Sequence, residues 1–196
     1  MATAGKSALR ERLLAARRSV SDDVHAQEAQ SLAAHIDALT INGGHTVCAY
    51  VPVGGEPGTI EMLDVLLRQA DQVLLPVTRT TGDDTAMALL WGEYQPGQLV
   101  TARFGLLEPA GPWLPSTALA NASVVFVPAL AVDRTGARLG RGRGFYDRTL
   151  VFRNPDACLI AVVRDDELLD EVPREPHDVP MTHALTPGRG LVELTG

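Results

Sequence analysis

The sequence predicts an α/β fold with a largely parallel central sheet. Apolar runs typical of buried strands alternate with segments of helical periodicity, and this alternation favours a layered fold whose strands run parallel. The chain has 196 residues, and a chain of this size buries about 70% of its unfolded surface. Because there is no internal repeat and no clear linker, we expect one domain over residues 1–196.

Two helices are expected at the start of the chain. Residues 6–19 place apolar side chains on one face and contain neither glycine nor proline. Ser21 is a candidate N-cap for a second helix that extends to about Leu39. The sequence "NGG" at 42–44 then ends that helix.

Strand and helix signals alternate through the first half of the chain. Residues 46–53 form an apolar run typical of a buried strand, and the glycine-rich loop "GGEPG" follows it. Thr59 is a plausible N-cap for a helix over 60–70. Further strands are expected at 72–77 and 86–91.

The second half begins with a long connection. Residues 92–123 are rich in glycine and proline and are predicted to be mostly irregular, which in compact domains often marks a functional segment. Strands are expected at 123–130 and 158–163, with a helix from about Phe145 between them. One last short strand is expected within 176–187.

Composition and charge exclude several classes of protein. The net charge of −7 disfavours a general nucleic-acid binder. No apolar run approaches the length of a membrane span, and the first residues lack the apolar core of a signal peptide. Cys48 and Cys158 lie in apolar runs, as expected of two buried, reduced thiols. We therefore expect a soluble cytoplasmic protein.

The segment "RLGRGRGFYDRTL", residues 138–150, carries the strongest functional signal. Alternating glycines let the backbone approach a ligand because no Cβ intervenes, and successive N–H groups can form an anion-binding concavity. A helix that starts just after adds the positive end of its dipole. Arginines add fork-shaped donors suited to phosphate. The segment predicts a phosphate cradle of Arg138, Gly140, Arg141, Gly142, Arg143 and Gly144.

Two common phosphate motifs do not fit this segment. A Walker A loop ends in G-K-[ST], and the dinucleotide fingerprint requires a third glycine where Phe145 stands. The alternatives are a flexible turn with solvated arginines and an RGG-like contact to RNA. Asp147 would lie in the first turn of the next helix, where it could cap N–H groups or hold a Mg²⁺ bound to phosphate.

The longer stretch "VPALAVDRTGARLGRGRGFYDRTL", 127–150, resembles the signature of the 5-formyltetrahydrofolate cyclo-ligase family. The segments "KSALR", "PVGGEPGT", "FGLLEP" and "EPHD" occur in the family's order, so the resemblance covers the whole chain. It implies a three-layer α/β/α, Rossmann-like fold. It also implies conversion of 5-formyltetrahydrofolate to 5,10-methenyltetrahydrofolate, with ATP hydrolysed to ADP and phosphate and with Mg²⁺ as cofactor.

The resemblance assigns ATP contacts near the N-terminus. Lys6 and Arg10 are four residues apart and project from one helix face. On the residues alone they are ordinary charges of a solvated amphipathic helix, but both match the family's ATP-binding lysine and arginine. Together with the cradle, Phe145 and Tyr146 are expected at the ATP site.

Folate contacts are implied in two loops. Glu56 matches a substrate-contacting glutamate that could accept hydrogen bonds from pterin N–H groups, and Val51 matches an apolar contact. Phe104 and Tyr146 could form flat walls for the pterin. On the residues alone, Glu56 is an ordinary polar loop residue and both aromatic rings serve packing.

A metal pair is implied by Asp147 and by Asp178 of "EPHD", which otherwise reads as a loop-capping aspartate. Two carboxylates suit Mg²⁺ that keeps several waters. Several positions depart from the family pattern: "EPGT" stands where E-V-D-T is usual, and Arg143, Phe145 and Val132 replace commoner residues. Phe145 loses a hydroxyl, whereas Arg143 keeps or adds positive charge.

The implied chemistry needs activation of a formyl oxygen. Transfer of the γ-phosphoryl group to that oxygen lets it leave as phosphate, and N10 then closes the ring. The protein has to position two substrates in line and neutralise charge. The alternative is a non-catalytic folate- or nucleotide-binding protein on the same scaffold. Small molecules are the expected partners, without nucleic acid or membrane, and nothing in the sequence demands more than a monomer.

Overall fold

The computed structural model describes residues 2–39, 41, 46–175 and 178–195, and only the backbone of residues 2–4 and 104. Over these residues the α-helices are α1 (Ala2–Arg18), α2 (Asp22–Asp37), α3 (Glu61–Gln69) and α4 (Phe145–Thr149). Short 3₁₀ turns lie at Arg103–Gly105, Ser116–Asn121, Leu150–Phe152 and Asp165–Glu167.

The strands of the described chain form one large and two small sheets. In chain order they are β1 (Thr46–Cys48), β2 (Gln72–Val77), β3 (Leu90–Glu93), β4 (Leu99–Thr101), β5 (Leu107–Pro109), β6 (Ala122–Pro128), β7 (Ala131–Asp133), β8 (Arg138–Leu139), β9 (Cys158–Val162), β10 (Leu168–Leu169), β11 (His183–Thr186) and β12 (Gly190–Glu193). The large sheet has the order β12-β11-β9-β6-β1-β2-β3, and the small sheets are β10-β7-β8 and β4-β5.

The centre of the large sheet is parallel. β11, β9, β6, β1 and β2 all run in one direction, whereas β3 and β12 pair antiparallel at the two edges. The parallel strands read as near-continuous apolar runs because both of their faces are covered. The predicted α/β class with a largely parallel sheet is therefore confirmed.

Each face of the sheet has its own core. α2 and α3 cover one face with buried apolar side chains, among them Leu32, Ile36 and Leu66, which pack with Phe126. The opposite face packs Val125 and its neighbours against the turns at Ser116–Asn121 and Leu150–Phe152. α1 packs separately on the small sheet that contains β7 and β8. This arrangement gives three layers.

The predicted helices are present, but not all of them begin and end where the sequence predicts. Ser21 caps α2 as predicted, since its side chain accepts a hydrogen bond from the Val24 N–H at 3.4 Å. The prediction that Thr59 caps α3 is wrong: the helix follows Ile60, and the Thr59 hydroxyl is buried without a hydrogen-bond partner among the described residues. The "NGG" signal at 42–44 lies outside the described residues.

The predicted bounds of the strands differ from the observed bounds where loops leave the sheet. β1 ends at Cys48 rather than residue 53, because the chain turns away after the Ala49 N–H bonds to the Leu74 carbonyl. The strand expected at 86–91 begins only at Leu90. Residues 92–123, predicted to be irregular, contain β4 and β5, and the tail carries two strands, β11 and β12, instead of one.

The cysteine prediction is half right. Cys48 is fully buried, and burial raises the pKa of its thiol. Cys158 is only half-buried, because it begins β9 at the amino end of the strand, where its Sγ lies 3.2 Å from His183 Nδ1. No helix in the described part of the chain is both long and apolar enough to span a bilayer.

Candidate active site

The candidate site lies beyond the carboxyl ends of two neighbouring parallel strands. β1 leads into the loop that contains Glu56, and β6 leads through β7 and β8 into the glycine stretch, residues 140–144. Because β1 and β6 are parallel and adjacent, these two loops leave the sheet at the same edge. The topology therefore brings the two predicted motifs together.

The backbone of the glycine stretch requires glycine at two positions. Gly142 and Gly144 have φ angles of 93° and 77°, in the left-handed region that side chains with a Cβ rarely adopt. Gly144 is also the N-cap residue of α4. Since α4 has only five residues, the contribution predicted from its helix dipole is small.

α1 packs directly on the glycine stretch. Arg10 Nε donates a hydrogen bond to the Gly140 carbonyl at 2.9 Å, and a Cβ on Gly142 would lie 3.4 Å from Arg10 Cζ. Lys6 is only 8% exposed. Its Nζ lies 3.5 Å from carboxylate oxygens of both Glu175 and Asp178. A fully solvated helix face is thus the wrong description of these two cations.

Arg138 and Tyr146 form the inner wall beside the glycine stretch. Arg138 Nη2 donates to Asp147 Oδ1 at 2.6 Å, and its Cζ lies 5.8 Å from the centre of the Tyr146 ring. Arg138 Nε and the Tyr146 hydroxyl are buried without a hydrogen-bond partner among the described residues. Burial, reinforced by the charge of Glu56, raises the pKa of Tyr146. Tyr146 therefore stays neutral.

Glu56 connects the two loops. Its Oε1 accepts a hydrogen bond from Arg141 Nε at 2.9 Å, and its Oε2 accepts one from the Val53 N–H at 3.1 Å. Glu56 is buried, whereas about half of the Arg141 side chain is exposed. A residue predicted to contact phosphate is thus ion-paired with a residue predicted to contact folate, a link that the sequence analysis missed.

The other predicted contacts lie around this pair. Val51 is half-buried and packs on the core beneath the β1 loop. Phe145 is half-buried and opens α4. The backbone of Phe104 lies in the turn Arg103–Gly105, but its side chain lies outside the described residues.

Asp84 belongs to the same region and was not singled out from the sequence. Its Oδ2 accepts a hydrogen bond from Arg143 Nη2 at 3.0 Å, and its Oδ1 lies 3.5 Å from Arg103 Nη2. The dipeptide at 83–84 lies in a polar loop, "TTGDDT". That composition is typical of an ordinary turn, so only the tertiary structure shows that Asp84 contacts two arginines.

The donor chemistry of Asp147 and Asp178 fits a Mg²⁺ ion that is carried mainly by phosphate. Carboxylate oxygens are the ligands Mg²⁺ prefers, usually one or two of them beside substrate phosphates and water. Asp147 pairs with Arg138, and Asp178 Oδ2 accepts the Glu175 N–H at 2.7 Å. Across the described residues there is no group of three or more His, Cys, Asp or Glu able to form an all-protein cage.

Comparison with known sequences gives a consistent picture. A family model described as the 5-formyltetrahydrofolate cyclo-ligase family matches residues 2–187. The chain is 58% identical over 194 residues to the 5-formyltetrahydrofolate cyclo-ligase of Mycolicibacterium smegmatis, covering 99% of this chain and 100% of that relative. It is 32% identical over 147 residues to the enzyme of the same name from Escherichia coli strain K12, covering 74% and 79%.

Solved structures share the fold. The NMR structure of Aquifex aeolicus 5,10-methenyltetrahydrofolate synthetase superposes with a TM-score of 0.78 at 23% identity, covering 97% of this chain and 93% of that one. At this level of identity the likeness shows the fold and leaves the roles of individual residues to the geometry of the site.

Proposed function

The chain belongs to the 5-formyltetrahydrofolate cyclo-ligase family and acts as an ATP-dependent ligase, and we propose how its residues perform the reaction. The reaction closes 5-formyltetrahydrofolate to 5,10-methenyltetrahydrofolate and releases ADP and phosphate. The observation that supports our assignment most is the ion pair between Arg141 and Glu56. This pair joins the glycine stretch, which we assign to ATP, to the loop after β1, which we assign to folate, and a transfer between the two substrates requires such proximity.

On the nucleotide side, we assign charge neutralisation to the cations that surround the glycine stretch. Two come from α1 and three from the stretch and its flank: Lys6, Arg10, Arg138, Arg141 and Arg143. Backbone N–H groups at Gly140, Gly142 and Gly144 add donors that no Cβ obstructs. Phe145 and Tyr146 continue this surface into α4.

On the folate side, we assign orientation of the pterin to the loop after β1. The Glu56 carboxylate accepts hydrogen bonds from pterin N–H groups, while Val51 and the rings of Phe104 and Tyr146 enclose the ring system. Two observations support this assignment: Glu56 is buried, and it lies beside the glycine stretch. Each oxygen of an ionised carboxylate can accept more than one hydrogen bond, so Glu56 can accept pterin N–H donors in addition to those of Arg141 and the Val53 N–H.

The chemical step then needs little covalent participation from the protein. The formyl oxygen attacks the γ-phosphorus and ADP leaves. N10 then adds to the activated formyl carbon and gives up its proton, and the formyl oxygen departs with the phosphoryl group as phosphate, which takes up that proton. The arginines and Lys6 align the phosphates and neutralise charge as it moves from one oxygen to another.

We further propose that Asp147 and Asp178 hold Mg²⁺. When bound, the ion would neutralise negative charge on the phosphates. Arg138 orients Asp147 through a 2.6 Å hydrogen bond. Lys6 Nζ lies 3.5 Å from Asp178 Oδ2 and 3.5 Å from Glu175 Oε2, so this one cation holds both carboxylates in position.

We also propose that the protein works as a cytoplasmic monomer of one domain, with small molecules as its partners. Size-exclusion chromatography with light scattering tests the monomer, and a mass near 20.9 kDa is expected. Salt-sensitive RNA binding would contradict the small-molecule assignment.

The near-ultraviolet absorbance of methenyltetrahydrofolate tests the function directly. Purified protein mixed with 5-formyltetrahydrofolate and Mg-ATP should produce this absorbance, and omission of ATP should abolish it. Binding of both ligands without any product would instead support the alternative, a non-catalytic folate- or nucleotide-binding protein.

A further inference from the structure

One carboxylate joins the two halves of the proposed site. The two oxygens of Asp84 contact two arginines: Arg143 in the glycine stretch at 3.0 Å and Arg103 at 3.5 Å. Arg143 belongs to the proposed nucleotide side. Arg103 opens the 3₁₀ turn Arg103–Gly105, which contains the proposed folate contact Phe104.

The loop that carries Asp84 is held in shape by its own hydrogen bonds. The Thr81 N–H bonds to the Thr85 carbonyl at 2.9 Å, and the Asp84 N–H bonds to the Thr81 carbonyl at 3.0 Å. Asp84 itself has a φ of 63°, a left-handed conformation that aspartate tolerates better than most residues. Thr80 adds a second tie to Arg103, whose Nη1 donates to the Thr80 hydroxyl at 2.7 Å. The loop over 79–86 is therefore preformed and fixed to the 103–105 turn.

Arg143 can exchange its contact with Asp84 for a contact with another anion. The side chains of Arg143 and Asp84 are 42% and 51% exposed, so water screens their attraction. Arg143 lies between Gly142 and Gly144, whose left-handed backbones change conformation at little steric cost. A triphosphate offers several charged oxygens in a geometry that a guanidinium matches with two hydrogen bonds. It therefore competes effectively with one exposed carboxylate.

We propose that Asp84 is a positioning residue that couples nucleotide binding to the folate side of the site. In the free protein it holds Arg143 and Arg103 together. When a triphosphate occupies the glycine stretch, Arg143 turns to the phosphates and Asp84 is released. The 79–86 loop then loses this tie to the glycine stretch but keeps its ties to the 103–105 turn and, through Arg79, to Glu108, so the loop and the turn shift together. Because coupling between two ligands is reciprocal, folate bound at that turn changes nucleotide affinity by the same factor.

This inference rests on the proposed function, and Asp84→Asn tests it. Asparagine keeps the shape and tolerates the left-handed backbone but removes the charge. We expect the variant to bind a non-hydrolysable Mg-ATP analogue about two- to fivefold more tightly in calorimetry, as expected when one exposed ion pair no longer competes. Asp71→Asn, on the exposed turn before β2, makes the same change of charge and should bind like the unmodified protein.

The coupling itself is measured by repeating the titrations with 5-formyltetrahydrofolate present. In the unmodified protein the dissociation constants of the analogue with and without 5-formyltetrahydrofolate should differ by about twofold or more. In Asp84→Asn their ratio should approach one. Unchanged or weaker analogue binding by Asp84→Asn, or a ratio of one in the unmodified protein, would overturn the proposal.

Amide hydrogen exchange gives an independent readout. Adding the analogue should speed exchange across 79–86 in the unmodified protein, whereas Asp84→Asn should exchange fast in this loop from the start. Exchange rates across 79–86 that do not change on addition of the analogue in either protein would also overturn the coupling. An unmodified protein that binds the analogue but forms no methenyl product contradicts the proposed function instead, so the two failures are distinguishable.

Discussion

At the scale of single residues, the site depends on carboxylates and cations that hold one another in position before any substrate arrives. Glu56 is buried and accepts hydrogen bonds from Arg141 and from the Val53 N–H. Lys6 lies between two carboxylates, those of Glu175 and Asp178. Preorganised charge of this kind costs no reorganisation during the reaction.

Replacing Glu56 by glutamine should weaken folate binding. The amide keeps one acceptor but loses the negative charge, and a hydrogen bond to a charged group is stronger by about 1 kcal/mol than a neutral one. Steady-state kinetics should show a KM for 5-formyltetrahydrofolate raised about five- to tenfold with a smaller effect on the KM for ATP. Glu61→Gln, on the exposed start of α3, serves as the matched control. An unchanged folate KM would contradict the assignment.

Replacing Lys6 by methionine should affect the other substrate. The substitution keeps an unbranched chain in a buried position but removes the cation beside Asp178. We expect kcat/KM for ATP to fall about tenfold or more, because the charge that we propose to contact phosphate is lost. Arg12→Met, on the exposed side of α1, should leave it unchanged. Equal effects of both substitutions would show that only the net charge of α1 matters.

The sequence identifies most of these residues but not their pairing. Local patterns suffice for Ser21 as a cap and for the glycines at 142 and 144, because the signal and its consequence lie within a few residues. The Arg141–Glu56 pair joins side chains 85 positions apart, and Asp84 reaches Arg143 across 59 positions. Contacts at such separations depend on the topology of the sheet, which a local pattern does not encode.

At the scale of elements, α1 is fixed to the rest of the fold by a buried ion pair near its end. Arg17 Nε lies 2.6 Å from Glu167 Oε1, and both side chains are only 3% exposed. Arg17 Nη2 also donates to the Ala129 carbonyl at 2.6 Å. Burial alone lowers the pKa of Arg17, but the hydrogen bond and charge of Glu167 outweigh this and raise it, so the pair stays ionised.

Removing one partner of this pair should destabilise the protein strongly. Arg17→Met leaves the Glu167 carboxylate buried without its cation, and we expect a loss of about 3–5 kcal/mol in the free energy of unfolding. The double variant Arg17→Met with Glu167→Gln should recover part of this loss, because no unpaired buried charge remains. Urea denaturation followed by circular dichroism measures both. A double variant less stable than Arg17→Met would contradict the explanation.

Long, strongly patterned elements were predictable, and short ones were not. β2 has the predicted bounds because its apolar run is covered on both faces. β4, β5 and β10 have two or three residues each, too few for a period to show. Thr59 has the right chemistry for a cap, but the first turn of α3 is formed by backbone hydrogen bonds, including one from the Met62 N–H to the Thr59 carbonyl.

At the scale of the whole molecule, the tyrosines share one property. The chain has three, Tyr50, Tyr94 and Tyr146, and burial raises the pKa of each in the folded state. For Tyr94, burial and the hydrogen bond that its hydroxyl donates to Asp64 raise the pKa to about 12. Their protonated forms therefore stabilise the fold.

This stabilisation sets an alkaline limit. A tyrosine whose pKa is raised in the folded state stabilises the protein fully at pH values below its unfolded pKa of about 10. This stabilisation is lost as pH rises through its folded-state pKa. For Tyr94 the loss should span pH 10 to about 12. Tyrosinate absorbance should appear together with unfolding, and Tyr94→Phe should lose less stability over this range. Titration of all three tyrosines near pH 10 in a folded protein would contradict the prediction.

The contact between Lys6 and Asp178 spans 172 positions of the chain, and it has a consequence during synthesis. During translation Lys6 leaves the ribosome 172 positions before Asp178. A nascent chain that has not yet reached Asp178 therefore lacks one carboxylate of the magnesium pair that we propose. On this proposal, such an unfinished chain does not hydrolyse ATP.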